Sequence, residues 1–169
     1  IGNPISSFNK SLFQKSKTYE YNLEPIKIGY FGILTRGVRS PDQALNIFKN
    51  LDYVFHWYTN SDSKNMILQN NIDDNKHKFF EMVPRDEAIE IMCQSFHCLL
   101  SIGNLNPSQL PSKVIEYTST GKPVIHFAEI PNDPVIKLAE KFNNLIIVTK
   151  NSDPVLIHEQ LNQLFKIII

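Results

Sequence analysis

The fold is decided by one stretch of the sequence, Leu110-Pro-Ser-Lys-Val-Ile-Glu-Tyr-Thr-Ser-Thr-Gly-Lys-Pro-Val-Ile125, which runs from a loop through a helix into a strand. Pro111 is preorganised for the first turn of a helix. Gly121 suits the position just past the helix end, where the backbone takes a positive φ. The short apolar run that follows is typical of a strand in a parallel sheet. The stretch therefore predicts a helix that leads directly into a buried strand.

The same alternation extends over most of the chain. Short apolar runs lie between segments of helical period, which predicts six strand–helix units. Three helix starts carry a capping residue before a proline, at Ser40-Pro41, Asp133-Pro134 and Asp153-Pro154. The apolar helix faces are 44, 45, 48 and 51; 88, 91, 92 and 96; 135, 138, 139 and 142; and 157, 161, 164 and 168. The six predicted strands are 26–32, 53–59, 78–83, 97–102, 123–127 and 145–149.

This rhythm predicts an α/β fold, a Rossmann-like doubly wound parallel sheet of six strands in the order 3-2-1-4-5-6, with helices on both faces. In that order the strand sequence reverses between strands one and four, so the loops 32–40 and 103–112 are the expected ligand site. Residues 1–25 are polar and aperiodic and are interpreted as an interdomain linker or docking arm. Residues 26–169 form the predicted Rossmann-like domain. The abrupt ends of the sequence indicate a fragment of a larger protein.

The amino-acid composition excludes some classes of function. Lys and Arg number 17 and so do Asp and Glu, a balance that argues against a nucleic-acid binder. Cys93 and Cys98 are interpreted as buried free thiols, which suits the cytoplasm. No apolar run is long enough to span a bilayer, so any membrane contact is expected to be peripheral. No paired Cys or His spacing indicates a metal site.

The two predicted loops carry the chemistry. A helix N-terminus with Ser112 and Lys113 offers unpaired N–H groups, a hydroxyl and an ammonium to a diphosphate. Glu116 shares their helix face and could accept hydrogen bonds from ribose hydroxyls, although a surface pair between Lys113 and Glu116 remains the alternative. Arg36 and Arg39 in the other loop are both candidates for a phosphate contact, and the sequence does not choose between them. Neither a Gly-x-Gly-x-x-Gly fingerprint nor a P-loop occurs.

The segment 110–125 resembles the pattern Leu-Pro-x-Lys-x-x-Glu-Tyr-x-x-x-Gly-Lys-Pro-x-Ile of the C-terminal domain of GT-B type glycosyltransferases. The closest resemblance is to the large retaining family that acts in bacterial polysaccharide synthesis. The match rests on Pro111, Lys113, Glu116, Tyr117, Gly121, Lys122 and Pro123. The strand–helix rhythm of 26–168 agrees with that domain.

The resemblance implies that Glu116 binds the donor ribose and that the helix N-terminus near Leu110 and Pro111 binds the diphosphate. It also implies that Gly32 allows close approach of the donor. Pro84 and Arg85 follow strand three, where members of the family contact the base, and are weaker candidates. Many members carry a second glutamate eight residues before the ribose-binding one, and Ser108 stands there in this sequence.

The implied function is an enzymatic one, a glycosyltransferase domain that binds a nucleotide-diphosphate sugar. The sugar is transferred with retention to a glycan or lipid-linked acceptor, which an N-terminal acceptor-binding domain of the same protein binds. Neither a cofactor nor a metal is expected. A non-catalytic binding or scaffold module of the same fold is one alternative, supported by Ser108. A sugar-nucleotide 2-epimerase, which shares the two-domain architecture, is the other.

Overall fold

A computed structural model of the chain describes residues 25–110 and 112–168, with the side chains of the last two left out. Its sheet has six strands in the order β3-β2-β1-β4-β5-β6, and every pairing is parallel. The predicted order is confirmed. The strands are β1 (Ile26–Phe31), β2 (Tyr53–Tyr58), β3 (His77–Phe80), β4 (Cys98–Ile102), β5 (Val124–Phe127) and β6 (Leu145–Val148). The predicted linker lies outside the described residues, apart from Pro25.

Six helices connect and cover the strands in the described part of the chain. They are α1 (Asp42–Phe48), α2 (Ser61–Leu68), α3 (Arg85–Ser95), α4 (Ser112–Ser119), α5 (Val135–Leu138) and α6 (Pro154–Ile168). The three predicted capping residues, Ser40, Asp133 and Asp153, each accept a hydrogen bond from the backbone N–H two residues on, at 3.4, 2.9 and 2.9 Å. The N-cap position of α1 and of α5 is nevertheless taken by the proline that follows, which makes no side-chain capping bond. None of the described helices is long and apolar enough to cross a membrane.

The core has two layers, one on each face of the sheet. Alternate strand residues point to opposite faces, so Leu100 and Ile125 join a cluster with α1, α2 and α6, whereas Leu99 and Val124 join a cluster with α3, α4 and α5. Strands buried on both faces read as nearly continuous apolar runs, as the sequence showed. Cys93 and Cys98 are buried free thiols, as predicted.

Three predicted elements differ from the structure. Strand β3 ends at Phe80 rather than at residue 83, because Phe80 pairs with Tyr58, the last residue of β2, and no partner strand continues beyond it. Helix α3 buries Ala88, Ile89, Met92 and Cys93, while Phe96 follows the helix end and Ile91 is only partly buried.

Helix α5 is also shorter than its apolar pattern predicted. It ends at Leu138, and the chain then turns so that Asn144 Nδ2 donates to the backbone oxygens of Thr118 and Lys122 at 2.9 and 2.8 Å. The apolar side chains of the predicted face still pack into one cluster, Val135, Leu138, Ala139 and Phe142. The pattern therefore identified the buried surface correctly but not the length of the helix.

Candidate functional site

The site lies where β1 and β4 diverge. These strands pair only at Ile28 with Cys98 and at Gly29 with Leu99, and the loops that follow them enclose a crevice at the carboxyl edge of the sheet. The loops contact each other directly, since Leu105 N donates to Val38 O at 2.9 Å. The predicted switch point is therefore a real opening in the sheet, the position where doubly wound folds bind ligands.

Helix α4 is attached to the free end of β1. Beyond Gly29, β1 has no partner strand on the β4 side, which leaves the peptide groups of Phe31 without ladder bonds. Tyr117 Oη accepts from Phe31 N at 3.0 Å and donates to Phe31 O at 3.0 Å, and Lys113 Nζ donates to the same oxygen at 2.5 Å. A buried peptide group needs such partners. Two side chains of the predicted motif thus fix the N-terminal half of α4 over the crevice.

Burial shifts the pKa values of these groups. It raises the pKa of the Tyr117 hydroxyl far above its ordinary value, so the group stays a neutral donor and acceptor. It lowers the pKa of Lys113, an effect that the nearby Glu116 opposes and the positive charge of Arg39 reinforces. The ammonium of Lys113 is therefore a poorly solvated charge, and an added anion would stabilise it.

A small cavity, here called the cation-lined cavity, opens beside this attachment. Its volume is about 130 Å³. Two cations and four hydroxyl groups line it, contributed by Arg39, Lys113, Tyr30, Ser101, Ser112 and Tyr117. Burial raises the pKa of Tyr30 to about 12, although the adjacent Arg39 opposes the shift. The N-terminus of α4, with its partial positive charge, faces the same region. The lining matches the needs of a phosphate group.

A second cavity of about 250 Å³, here called the Glu116 cleft, lies on the other side of Lys113. Lys113 lines both cavities. Arg85 Nε lies 3.0 Å from Glu116 Oε1, where the two charges form an ion pair. That oxygen is shielded from solvent, whereas the side chain as a whole keeps 16% of its surface exposed and lines the cleft. The remaining lining residues are Phe31, Gly32, Tyr58, Met82, Val83, Ala88 and Met92.

Gly32 follows β1 and lines the Glu116 cleft beside Lys113. A Cβ atom there would lie 3.1 Å from Lys113 Nζ, and its φ is +154°, which L side chains rarely adopt. Thr59 Oγ1 donates to Gly32 O at 2.6 Å and holds the backbone in place. The glycine thus permits the close packing of loop and lysine that forms the site.

The structure separates the two candidate arginines. A tight turn, with Arg39 N donating to Thr35 O at 2.8 Å and Gly37 at φ +77°, points them in different directions. Arg39 donates from Nε and Nη2 to Asn104 Oδ1 at 3.0 and 2.7 Å and lines the cation-lined cavity. Arg36 is exposed and contacts Gln69 Oε1 at 3.3 Å, outside both cavities.

The other predicted residues are distributed as follows. Ser112, Lys113, Glu116, Gly32 and Arg85 line one or both cavities. Ser108 is exposed and donates to Asn106 Oδ1 at 2.7 Å, and Leu110 is also exposed, so neither lines the two cavities. Pro84 precedes α3 between two lining residues of the Glu116 cleft. Pro111 lies outside the described residues.

Five polar residues of the site escaped the sequence reasoning as ligand-site candidates: Tyr30, Tyr58, Ser101, Asn104 and Tyr117. Ser101 and Asn104 are polar residues at the carboxyl end of an otherwise apolar strand, a signal that could have identified them. The ring of Tyr58 stacks between those of Phe31 and Phe80, at 4.5 and 4.8 Å between centroids. It also lines the Glu116 cleft.

His126 lies on β5, opposite Ser101 of β4. The structure buries it completely, with Nδ1 2.9 Å from Ser101 Oγ and Nε2 3.0 Å from Asp133 Oδ2. Among residues 25–110 and 112–168, no three His, Cys, Asp or Glu side chains form a group that could hold a metal ion.

Comparison with known proteins gives structural likenesses only. No protein-family model matches the sequence, and no curated protein matches it significantly. One solved structure that it resembles is WaaG, a glycosyltransferase involved in lipopolysaccharide biosynthesis, with a TM-score of 0.55 and 14% identity over 95% of this chain and 43% of that chain. Another is a protein from Listeria monocytogenes assigned as a UDP-N-acetylglucosamine 2-epimerase, with a TM-score of 0.54 and 9% identity over 93% of this chain and 45% of that chain.

The chain thus spans less than half the length of either structure. At these identities the likeness concerns the fold and not the chemistry. The described residues have a Rossmann-like α/β fold, a six-stranded parallel sheet with helices, and both structures resemble it in fold.

Proposed function

We propose that this chain is the donor-binding domain of a retaining glycosyltransferase and holds a nucleotide-diphosphate sugar in the crevice between β1 and β4. The observation that carries the proposal is the position of Lys113, whose side chain lines both the cation-lined cavity and the Glu116 cleft. A nucleoside diphosphate needs an anion site directly beside a site for ribose hydroxyls. The cation-lined cavity supplies the anion site, and the Glu116 cleft beside it supplies the site for ribose hydroxyls.

In this arrangement the diphosphate occupies the cation-lined cavity. Arg39 offers a planar fork of N–H donors, and Lys113 and Ser112 add an ammonium and a hydroxyl at the N-terminus of α4. The burial that lowers the pKa of Lys113 also makes an anion there more favourable than it would be in water.

The ribose lies against Glu116, whose carboxylate accepts hydrogen bonds from the ribose hydroxyl groups on the side that is exposed to the cleft. The base then extends along the Glu116 cleft towards Val83 and Arg85, with the ring of Tyr58 on its wall. Because Arg85 already pairs with Glu116, a bound ribose shares that carboxylate with the guanidinium.

Catalysis by this domain consists of stabilising the departing diphosphate. Negative charge grows on the diphosphate oxygens as the glycosidic bond to it breaks, and fixed cations and helix N–H groups stabilise that charge. Acceptor recognition is assigned to a second domain, in line with the greater length of both structural neighbours. In the full protein we place the reaction in cell-surface polysaccharide synthesis on the cytoplasmic side, with a glycan or lipid-linked acceptor.

Titration calorimetry of the chain with UDP and with GDP tests the proposal. Glu116→Gln and Lys113→Met should each weaken binding about tenfold or more, because each removes a charge-assisted hydrogen bond. The matched controls are Glu140→Gln and Lys137→Met, which change exposed residues remote from the crevice, and they should leave the affinity unchanged. Absence of binding by any nucleoside diphosphate at millimolar concentration would contradict the assignment.

The structural likeness to an epimerase supports a second candidate, a sugar-nucleotide 2-epimerase. The longer protein, incubated with a UDP-sugar, separates the alternatives. A transferase releases UDP and extends an acceptor, whereas an epimerase converts the sugar at C2 while the nucleotide stays attached. Neither product would favour a non-catalytic binding module, the reading that Ser108 supports.

A further inference from the structure

Behind the cation-lined cavity lies a continuous chain of three buried polar side chains. Ser101 on β4 and His126 on β5 are directly opposite each other in the sheet, with Ser101 Oγ 2.9 Å from His126 Nδ1. The other ring nitrogen, Nε2, lies 3.0 Å from Asp133 Oδ2, and Asp133 Oδ1 accepts from Val135 N at 2.9 Å. Relative exposures are 5% for Ser101, 0% for His126 and 3% for Asp133.

The surroundings hold this chain in one geometry. A Cβ atom on Gly103 would collide with Asp133 Oδ2 and would lie 3.2 Å from His126 Nε2. The imidazole therefore packs against bare backbone, with a partner at each nitrogen. Cross-linking of β4, β5 and α5 could by itself explain His126 and Asp133. It does not explain why the chain ends on a hydroxyl in the wall of the cavity that Arg39 and Lys113 also line.

The hydrogen-bond roles along the chain depend on one proton. With Asp133 accepting from Nε2–H, a neutral His126 has a bare Nδ1, so the Ser101 hydroxyl must donate to it. Ser101 then presents only lone pairs to the cavity, and these repel a phosphate oxygen. A protonated His126 donates from Nδ1 to Ser101 Oγ, which frees the hydroxyl proton to point into the cavity.

We propose that Ser101 is a ligand-contacting residue of the cation-lined cavity and that His126, held by Asp133, is the positioning residue that turns its hydroxyl into a donor. Binding of a phosphate group is then coupled to uptake of one proton from solvent by His126. This inference rests on the proposed function, because it takes the occupant of the cavity to be a phosphate.

The charges around the histidine act in both directions. Asp133, on the segment that leads into α5, stabilises the imidazolium ion. Lys113 on α4 and Arg39 in the loop after β1 face the same cavity as Ser101 and oppose it. A bound phosphate neutralises these two cations and adds negative charge beside Ser101. The balance therefore shifts towards protonated His126 when the anion binds. This electrostatic part of the proton uptake persists in any variant that still binds the anion, and the additional part depends on the Ser101 hydroxyl, which can donate to the anion only when His126 carries its second proton.

The test is calorimetric titration of the full chain with inorganic pyrophosphate at pH 7, in two buffers that differ in ionisation enthalpy. The difference in apparent enthalpy gives the number of protons taken up. Pyrophosphate changes its own protonation on binding, so the quantity compared is the wild-type value minus that of Ser101→Ala, in which no hydroxyl can turn. Thr120→Val, which removes a buried hydroxyl outside the cavity, is the matched control.

We expect wild type and Thr120→Val to take up more protons than Ser101→Ala, and Ser101→Ala to bind pyrophosphate about tenfold more weakly. The ¹⁵N shifts of the His126 ring should move towards imidazolium values when pyrophosphate is added to wild type, and by less with Ser101→Ala. His126→Asn, which cannot take up a proton, should bind without the additional uptake.

Equal proton uptake by wild type and Ser101→Ala, or equal affinity, would overturn the inference and leave the proposed function standing, provided that Glu116→Gln still weakens UDP binding. If wild type binds neither pyrophosphate nor UDP, both fail. A folded Ser101→Ala protein with an unchanged urea midpoint excludes general destabilisation as the source of weaker binding.

Discussion

Replacement of Tyr117 by phenylalanine should test how helix α4 is attached to the sheet. The tyrosine hydroxyl accepts from Phe31 N and donates to Phe31 O, both at 3.0 Å, in a fully buried position. Without it, Phe31 O keeps the bond from Lys113, but Phe31 N–H loses its partner on the side of β1 where β4 has diverged. Leaving one buried donor unsatisfied costs about 1–3 kcal/mol.

Urea unfolding, followed by the fluorescence of the single tryptophan, measures this cost. With a slope of about 1–3 kcal/mol per molar urea, Tyr117→Phe should lower the midpoint by roughly 1 M without changing the slope. Tyr53→Phe is the matched control. Tyr53 is equally buried, but its hydroxyl contacts only the half-buried His158 at 3.2 Å, which water can reach once the hydroxyl is gone. It should cost about 1 kcal/mol or less.

The two variants should therefore lose different amounts of unfolding free energy. If the two substitutions lower the free energy of unfolding equally, the unsatisfied N–H of Phe31 is not the source of the loss. If Tyr117→Phe is as stable as wild type, α4 is held by apolar packing and not by its bonds to β1. The Lys113 ammonium would then have no fixed anchor, and its position between the two cavities would lose its structural explanation.

Two further predictions concern the buried polar groups. Gly103→Ala should destabilise the fold by about 1–3 kcal/mol or more, measured by urea unfolding, because its Cβ would collide with Asp133 and lie 3.0 Å from Phe127 O; an unchanged midpoint would show that the backbone yields easily. The protein should also become less stable as the pH is lowered. Burial lowers the pKa of His77 to about 4 from its ordinary 6.5, while nearby acidic groups oppose the shift, and Trp57 Nε1 donates to His77 Nδ1 at 3.0 Å, which only an unprotonated nitrogen can accept. The contribution is fully present above about pH 6.5 and is lost as the pH falls towards 4. Unfolding midpoints at pH 7 and pH 5 should therefore differ, and His77→Gln should reduce the difference; equal pH dependence in both proteins would contradict the assignment.

The overall fold was predictable because its determinants are local and repeated. Apolar runs mark strands that are buried on both faces, and the capping residues Ser40, Asp133 and Asp153 mark helix starts within a few residues. Because crossover connections between parallel strands are right-handed, only a few orders of six parallel strands are then possible. Strand and helix ends were less predictable. They depend on where a partner stops, as at Phe80, and this is not written in the segment itself.

The site was predictable only in part, for a related reason. The motif placed Lys113 and Glu116 on one helix face, and a pair between them was the alternative interpretation. In the structure Lys113 instead bonds to Phe31 O, and Glu116 pairs with Arg85. Both partners lie on other strand–helix units, at positions fixed by the divergence of β1 from β4. Sequence spacing along one helix carries no information about such long-range partners.

The choice between the two arginines illustrates the same limit at short range. Arg36 and Arg39 are equivalent in composition and nearly so in position, yet the turn closed between Thr35 and Arg39 directs one outward and the other to Asn104. The turn depends on Gly37 at positive φ and on the loop after β4 as a surface to pack against. Asn104 lies 65 residues from Arg39, so no local pattern could have selected Arg39.

The contacts already present in the site limit how tightly a nucleotide can bind. Arg39 is bonded to Asn104, Lys113 to Phe31 O, and Arg85 is paired with Glu116. A ligand therefore exchanges partners with these groups more than it gains new ones, and an exchanged hydrogen bond contributes little net free energy. The same contacts fix the cations before any ligand arrives, so little entropy is lost on binding. Such a site favours charge that grows during the reaction over charge already present in the bound donor, which is the requirement for catalysis by differential binding.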